Sequence, residues 1–124
     1  MKTVLVVDDE PALRAVVRAI LGDEGYVVLE ASHGLAMLEL LRRERADLVL
    51  MDVMMPGGDG REAYRTLRAQ KDLADVPVVM MSAAVRPAGL DPSIAAFLRK
   101  PFDLNQVVAL VADLIGPPYP NGLD

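Results

Sequence analysis

The feature that most narrows what this chain can fold into is a regular alternation of two patterns. Short, nearly continuous apolar runs occur at Thr3–Val7, Tyr26–Leu29, Asp47–Met51, Val76–Met81 and Ala96–Leu98, most of them rich in Val. Runs of this kind predict strands covered on both faces, as in a parallel sheet. Between them lie amphipathic patterns. Leu13, Val16, Val17, Ile20 and Leu21 share one face of a first helix. Pro11 sits where a first helical turn tolerates it, and Gly22 or Gly25 can end the helix. A second helix is expected from about Gly34 to Arg45, with Met37, Leu38 and Leu41 opposite its charges. A third starts at Asp59, where Asp59 and Glu62 form a variant capping box. A fourth starts at Asp103, with Leu104, Val107, Val108 and Val111 on one face. Strand and helix alternating through five strands predict a doubly wound α/β sheet. Arg86–Ser93 breaks the pattern. Pro87, Gly89 and Pro92 predict a loop or single turn where a helix would otherwise join the last two strands.

Composition sets the limits. A length of 124 residues suits one domain, and 52 % hydrophobic residues suit a packed core. Aromatic residues are only 4 %, so that core must be aliphatic. The net charge of −5 disfavours nucleic acid and anionic membranes as partners. The chain has no Cys, which excludes disulfides and thiolate metal sites. No stretch approaches the roughly 20 apolar residues of a membrane span. A cytoplasmic protein is expected.

Ligands of open α/β sheets bind beyond the C-terminal ends of the strands. There the chain delivers Asp8, Asp9 and Glu10 from the first strand, and Asp52 from the third. It delivers Ser82 from the fourth and Lys100 from the fifth. If the first and third strands are neighbours, Asp8, Asp9 and Asp52 share a pocket, and crowded carboxylates disfavour one another's ionisation. A hard divalent cation relieves that conflict, and Mg²⁺ suits an all-oxygen set without the His or Cys ligands of zinc. Asp52 is then a candidate nucleophile toward phosphorus. The metal, Lys100 and the Ser82 hydroxyl would partner the three phosphoryl oxygens. Singly, each of these residues also fits a blander role: helix-capping acids, a turn serine, a solvated lysine. Together they do not. The single histidine, His33, reads as a loop residue ahead of the second helix, not as a phosphodonor.

The segments VLVVDDE, VLMDVMMPGGDG, VVMMSA and FLRKPF, in that order, resemble the receiver domain of two-component response regulators. The resemblance implies a receiver domain over residues 1–115, followed by an unstructured tail at 116–124. It implies the flavodoxin-like strand order 2-1-3-4-5, here with a degenerate fourth helix. The chemotaxis receiver is itself a standard example of this order. The resemblance makes Asp52 the phosphoacceptor and Asp8 and Asp9 the acidic pair, with Asp9 the direct Mg²⁺ ligand. The Met54 carbonyl becomes a third protein contact to the metal, and Lys100 the pocket lysine. Ser82 and Phe97 become the switch pair. The Lys100–Pro101 bond would be cis. Pro56, Gly57, Gly58 and Gly60 match the loop after the acceptor. The flanking positions Met54 and Ala84 are apolar, so the phosphoform is expected to outlast seconds. Without a full fourth helix, the output face built on it is incomplete.

The implied partners are a sensor histidine kinase or histidine phosphotransfer protein upstream and a protein target downstream. The implied chemistry is self-phosphorylation and self-dephosphorylation, not turnover of a substrate. Two other readings compete. A Mg²⁺-dependent phosphatase with an Asp nucleophile would carry D-x-D, but Glu10 stands where the second Asp would be. A receiver-like binding module that works without phosphate would not need the complete acidic set.

Overall fold

Each apolar run becomes a strand of one parallel sheet. The computed structural model describes residues 1–56, 58–83 and 89–119. In chain order the elements are β1 (Thr3–Val7), α1 (Pro11–Glu24), β2 (Val27–Ala31), α2 (Gly34–Leu41) and β3 (Leu48–Asp52). They continue with β4 (Met54–Met55), β5 (Gly58–Asp59), α3 (Gly60–Ala69), a 3₁₀ turn (Lys71–Leu73), β6 (Val78–Ser82), β7 (Ala96–Arg99) and α4 (Leu104–Ile115). The large sheet has the order β2-β1-β3-β6-β7, which is 2-1-3-4-5 when its own strands are counted. Every pairing in it is parallel.

Alternation along the strands divides the core into two layers. Leu48 and Leu50 of β3 face α1 and α4, together with Val4, Val6, Val17, Leu21, Val107 and Val111. Val49 and Met51 face the other way, with Met37 of α2 and Tyr64 and Leu67 of α3. β3 is buried along its whole length, which is why it has no polar residue before Asp52. Each fully buried Val or Leu contributes about 1.5–3 kcal/mol.

Several boundaries differ from the sequence reading. α2 stops at Leu41 instead of reaching Arg45, because the exposed Arg42–Arg45 stretch has no apolar residue to continue the buried stripe. α1 runs through Gly22 and ends at Gly25, whose φ of 108° is the left-handed conformation a helix terminus uses. Between β3 and α3 lies a two-residue antiparallel hairpin, in which Met54 pairs with Asp59 and Met55 with Gly58. The Asp59 carboxylate caps α3 by accepting the Arg61 N–H at 2.8 Å. Gly89–Ala95 forms turns and bends, with no helix among the described residues. Ser93 ties this stretch to α3, its Oγ 2.7 Å from the Tyr64 hydroxyl, while Ile94 is buried against the same layer. Arg86, Pro87 and Ala84 lie outside the described residues, as does Gly57.

Two hydrogen bonds join the start of the segment after α4 to residues just ahead of β1 and β2. The Lys2 N–H donates to Pro118 O at 2.8 Å, and the Tyr26 hydroxyl donates to Gly116 O at 2.8 Å. Residues 120–124 lie outside the described residues. Among the described residues, no helix is long and apolar enough to cross a membrane.

Candidate functional site

Register brings the acids together. Val7 of β1 pairs with Met51 of β3, so one step further places Asp8 beside Asp52. Asp52 pairs with Met81, and Ser82 with Arg99, which brings the β6 and β7 ends to the same edge. Parity then sorts the side chains. Asp8, Asp52 and Lys100 continue the alternation that faces α1 and α4, whereas Ser82 and Phe97 continue the alternation that faces α2 and α3.

Asp8 is fully buried and has both carboxylate oxygens engaged. Oδ1 accepts the Glu10 N–H at 2.9 Å, and Oδ2 accepts from Lys100 Nζ at 2.7 Å. Lys100 Nζ also lies 3.4 Å from Asp52 Oδ2 and 3.6 Å from Glu10 Oε1. Asp52 is buried, with its Oδ1 3.4 Å from the Met54 amide. Asp8, Asp9 and Asp52 can each offer one oxygen such that all three lie within 4.8 Å of one another. Asp9 is the exposed member of the set. Behind Asp52, a Cβ on Gly60 would overlap the Asp52 carbonyl oxygen and lie 3.0 Å from Val53 Cα. Only glycine lets α3 start this close to the end of β3.

The electrostatics follow from burial and crowding. Burial raises the Asp52 pKa above the ordinary carboxylate value, and the Asp8 charge adds to that, while Lys100 and the Met54 amide oppose it. Burial by itself would lower the Lys100 pKa. The hydrogen bond to Asp8 and the charges of Asp52, Asp8 and Glu10 outweigh it, so the amine is held above its ordinary value. An all-oxygen set with two buried members, both beside Lys100 Nζ, and one exposed member fits a hard cation that keeps several waters.

The expected residues are found as follows. Asp8, Asp9, Asp52 and Lys100 converge. Ser82 is buried at the end of β6. Met54 lies on β4, two residues after Asp52, and is 61 % exposed. Phe97 is half-buried on β7 and packs against the α2/α3 layer. The Lys100–Pro101 peptide is cis. His33 is exposed and caps α2, its Nδ1 accepting the Ala36 N–H at 3.1 Å. Sequence reasoning missed Arg14 and Glu30. Arg14 Nη1 donates to Asp8 O at 2.6 Å, and its Nε donates to Glu30 Oε1 at 3.1 Å. The one linear signal for them is the i, i+4 pair Arg14 and Arg18, which does not point to a partner on β2.

Comparison with known proteins agrees with this fold. The family model described as the response regulator receiver domain matches residues 4–112. Response regulator MprA of Mycobacterium leprae is 39 % identical over 116 residues, covering 90 % of this chain and 50 % of that protein. The chain thus spans about half the length of that curated relative. Among solved structures, the Vibrio cholerae chemotaxis protein CheY4 superposes with a TM-score of 0.86 at 29 % identity, covering 92 % of this chain and 98 % of that one. The Thermotoga maritima response regulator protein TrrA, in complex with Mg(2+)-BeF, gives a TM-score of 0.82 at 30 % identity, covering 92 % and 99 %.

Proposed function

This chain belongs to the response regulator receiver domain family, and on that premise we propose that it is a signalling switch that accepts a phosphoryl group on Asp52. The observation that supports this most is the convergence of three carboxylates within 4.8 Å, with Lys100 Nζ 2.7 Å from Asp8 and 3.4 Å from Asp52. Asp8, Asp9, Asp52 and the Met54 carbonyl would hold Mg²⁺. When bound, the ion neutralises the crowded acids and draws charge from a phosphoryl oxygen.

The steps assigned to the protein are few. An Asp52 carboxylate oxygen attacks phosphorus. The new O–P bond forms as the bond from phosphorus to the donor breaks, and the donor leaves with that electron pair. The donor is a phosphohistidine of a kinase or phosphotransfer protein, or a small acyl phosphate. Lys100, already held by Asp8, offers its remaining N–H donors to the equatorial oxygens without reorganising. Ser82 supplies a hydroxyl from the β6 end. Drawing that hydroxyl toward the phosphoryl group changes the packing on the α2/α3 face, which Phe97 shares, and so biases the exposed surface that partners read.

The test is acetyl phosphate with Mg²⁺, followed by intact mass. A single phosphoryl adduct is expected on the wild type and none on Asp52→Ala. An adduct that survives Asp52→Ala, or no adduct at all, refutes the assignment. Multiple turnover of a phosphate ester would instead indicate a phosphatase.

A further inference from the structure

We infer that Arg14 is a positioning residue for the metal-holding turn, and that Glu30 keeps it in place. The inference rests on the reading of Asp8, Asp9 and Asp52 as a Mg²⁺ site. Three hydrogen bonds fix the chain around Asp8. The Asp8 N–H donates to Ala31 O of β2 at 3.1 Å, the Asp8 carboxylate accepts the Glu10 N–H at 2.9 Å, and the Asp8 carbonyl accepts Arg14 Nη1 at 2.6 Å. The last bond sets the plane of the Asp8–Asp9 peptide. The direction in which Asp9 leaves the backbone follows from that plane.

Arg14 is itself held from behind. Glu30 accepts Arg14 Nε at 3.1 Å on one oxygen and Arg18 Nη1 at 3.0 Å on the other. Glu30 pairs in register with Val6, two residues before Asp8. The clamp therefore joins α1, β2 and the turn after β1. An exposed ion pair would contribute little. This one is different in kind: the Arg14 side chain is only 17 % exposed, and its second bond goes to a main-chain carbonyl of the acidic turn. A planar fork can hold a carboxylate and a carbonyl at once, whereas an ammonium on a flexible stem cannot hold both in fixed directions. Glu30 also offsets the guanidinium charge, so the turn gains a rigid donor beside a cation site without an uncompensated positive charge.

Charge and positioning predict opposite signs. By charge alone, Arg14→Ala removes a cation near the site and tightens Mg²⁺ binding, while Arg14→Lys changes nothing. By positioning, both variants weaken it. The experiment measures the Mg²⁺ dissociation constant of the full chain by calorimetric titration, with thermal melts in EDTA to confirm folding. Arg14→Ala and Arg14→Lys should each raise the constant about tenfold, the lower end of what partners of metal ligands contribute. Glu30→Gln should raise it by less. Arg14→Ala binding as tightly as the wild type or more tightly, or Arg14→Lys binding equally, overturns the inference. If Arg14→Ala does not fold, Arg14→Lys and Glu30→Gln decide it in the same way. If wild-type Mg²⁺ binding is not saturable, or is not weakened by Asp52→Ala, the metal site itself fails instead.

Discussion

Replacing Asp52 by asparagine should remove phosphorylation yet make the magnesium-free protein more stable at neutral pH. The reason lies in the balance of forces on one carboxylate. At an effective dielectric constant near 20, a carboxylate oxygen within 4.8 Å repels by about 3.5 kcal/mol or more, and a lysine at 3.4 Å attracts by about 5 kcal/mol. Asp9 is exposed, so solvent screens its repulsion more than that of the buried Asp8. The Asp8 charge offsets part of the Lys100 attraction, and the cost of burying the Asp52 charge outweighs what remains. This agrees with an Asp52 pKa raised chiefly by burial. The amide keeps the shape, can still accept the Met54 N–H, and leaves Lys100 paired with Asp8 at 2.7 Å. The expected gain is on the order of 1–2 kcal/mol, or about 4–8 °C in Tm for a domain of this size. A carboxyl whose folded pKa is raised opposes folding only when ionised. The advantage of the Asp52→Asn variant over the wild type should therefore be absent near pH 3.8, the ordinary value for Asp, and grow as pH rises through the raised pKa. Melts of both proteins in EDTA at several pH values measure it. Millimolar Mg²⁺ should narrow the gap or reverse it, because the ion binds the folded wild type better. An Asp52→Asn variant that melts below the wild type in EDTA at about pH 7.5, or a gain equally large at acid pH, refutes the reasoning.

Two further outcomes follow from particular contacts. Gly60→Ala pushes a Cβ into the Asp52 carbonyl and against Val53 Cα at 3.0 Å. It should lower stability by about 1–3 kcal/mol in urea unfolding and slow acetyl phosphate labelling of Asp52, whereas Gly22→Ala, inside α1 with nothing within 4 Å, should raise stability by up to about 1 kcal/mol and leave labelling unchanged. Tyr26→Phe removes the hydroxyl that holds Gly116 O at 2.8 Å. It should cost about 1 kcal/mol and speed amide exchange of Lys2, whose N–H pairs with Pro118, while leaving phosphoryl labelling intact.

Much of this could be read from the chain itself. Continuous apolar runs and helices with 3.6-residue stripes are written in neighbouring residues, so local periodicity is enough to give the α/β class. The strand-end rule gives Asp8, Asp9, Asp52, Ser82 and Lys100 as a set. The turns and bends of Gly89–Ala95 were legible for the same reason, since Gly89 and Pro92 act on their own backbone. What the residues alone did not determine are partners far apart in the chain. Lys100 engages Asp8, 92 positions away, more closely than Asp52. Parity places Ser82 and Phe97 on one face and the acids on the other only once the register is set. Arg14 meets the Asp8 carbonyl because α1 packs back over β1, and it meets Glu30 because β2 lies beside β1. Ser93 finds Tyr64 because the turn ahead of β7 docks on α3. Such contacts depend on where whole elements dock, and docking is decided by the shape of two buried layers rather than by any stretch of sequence within them.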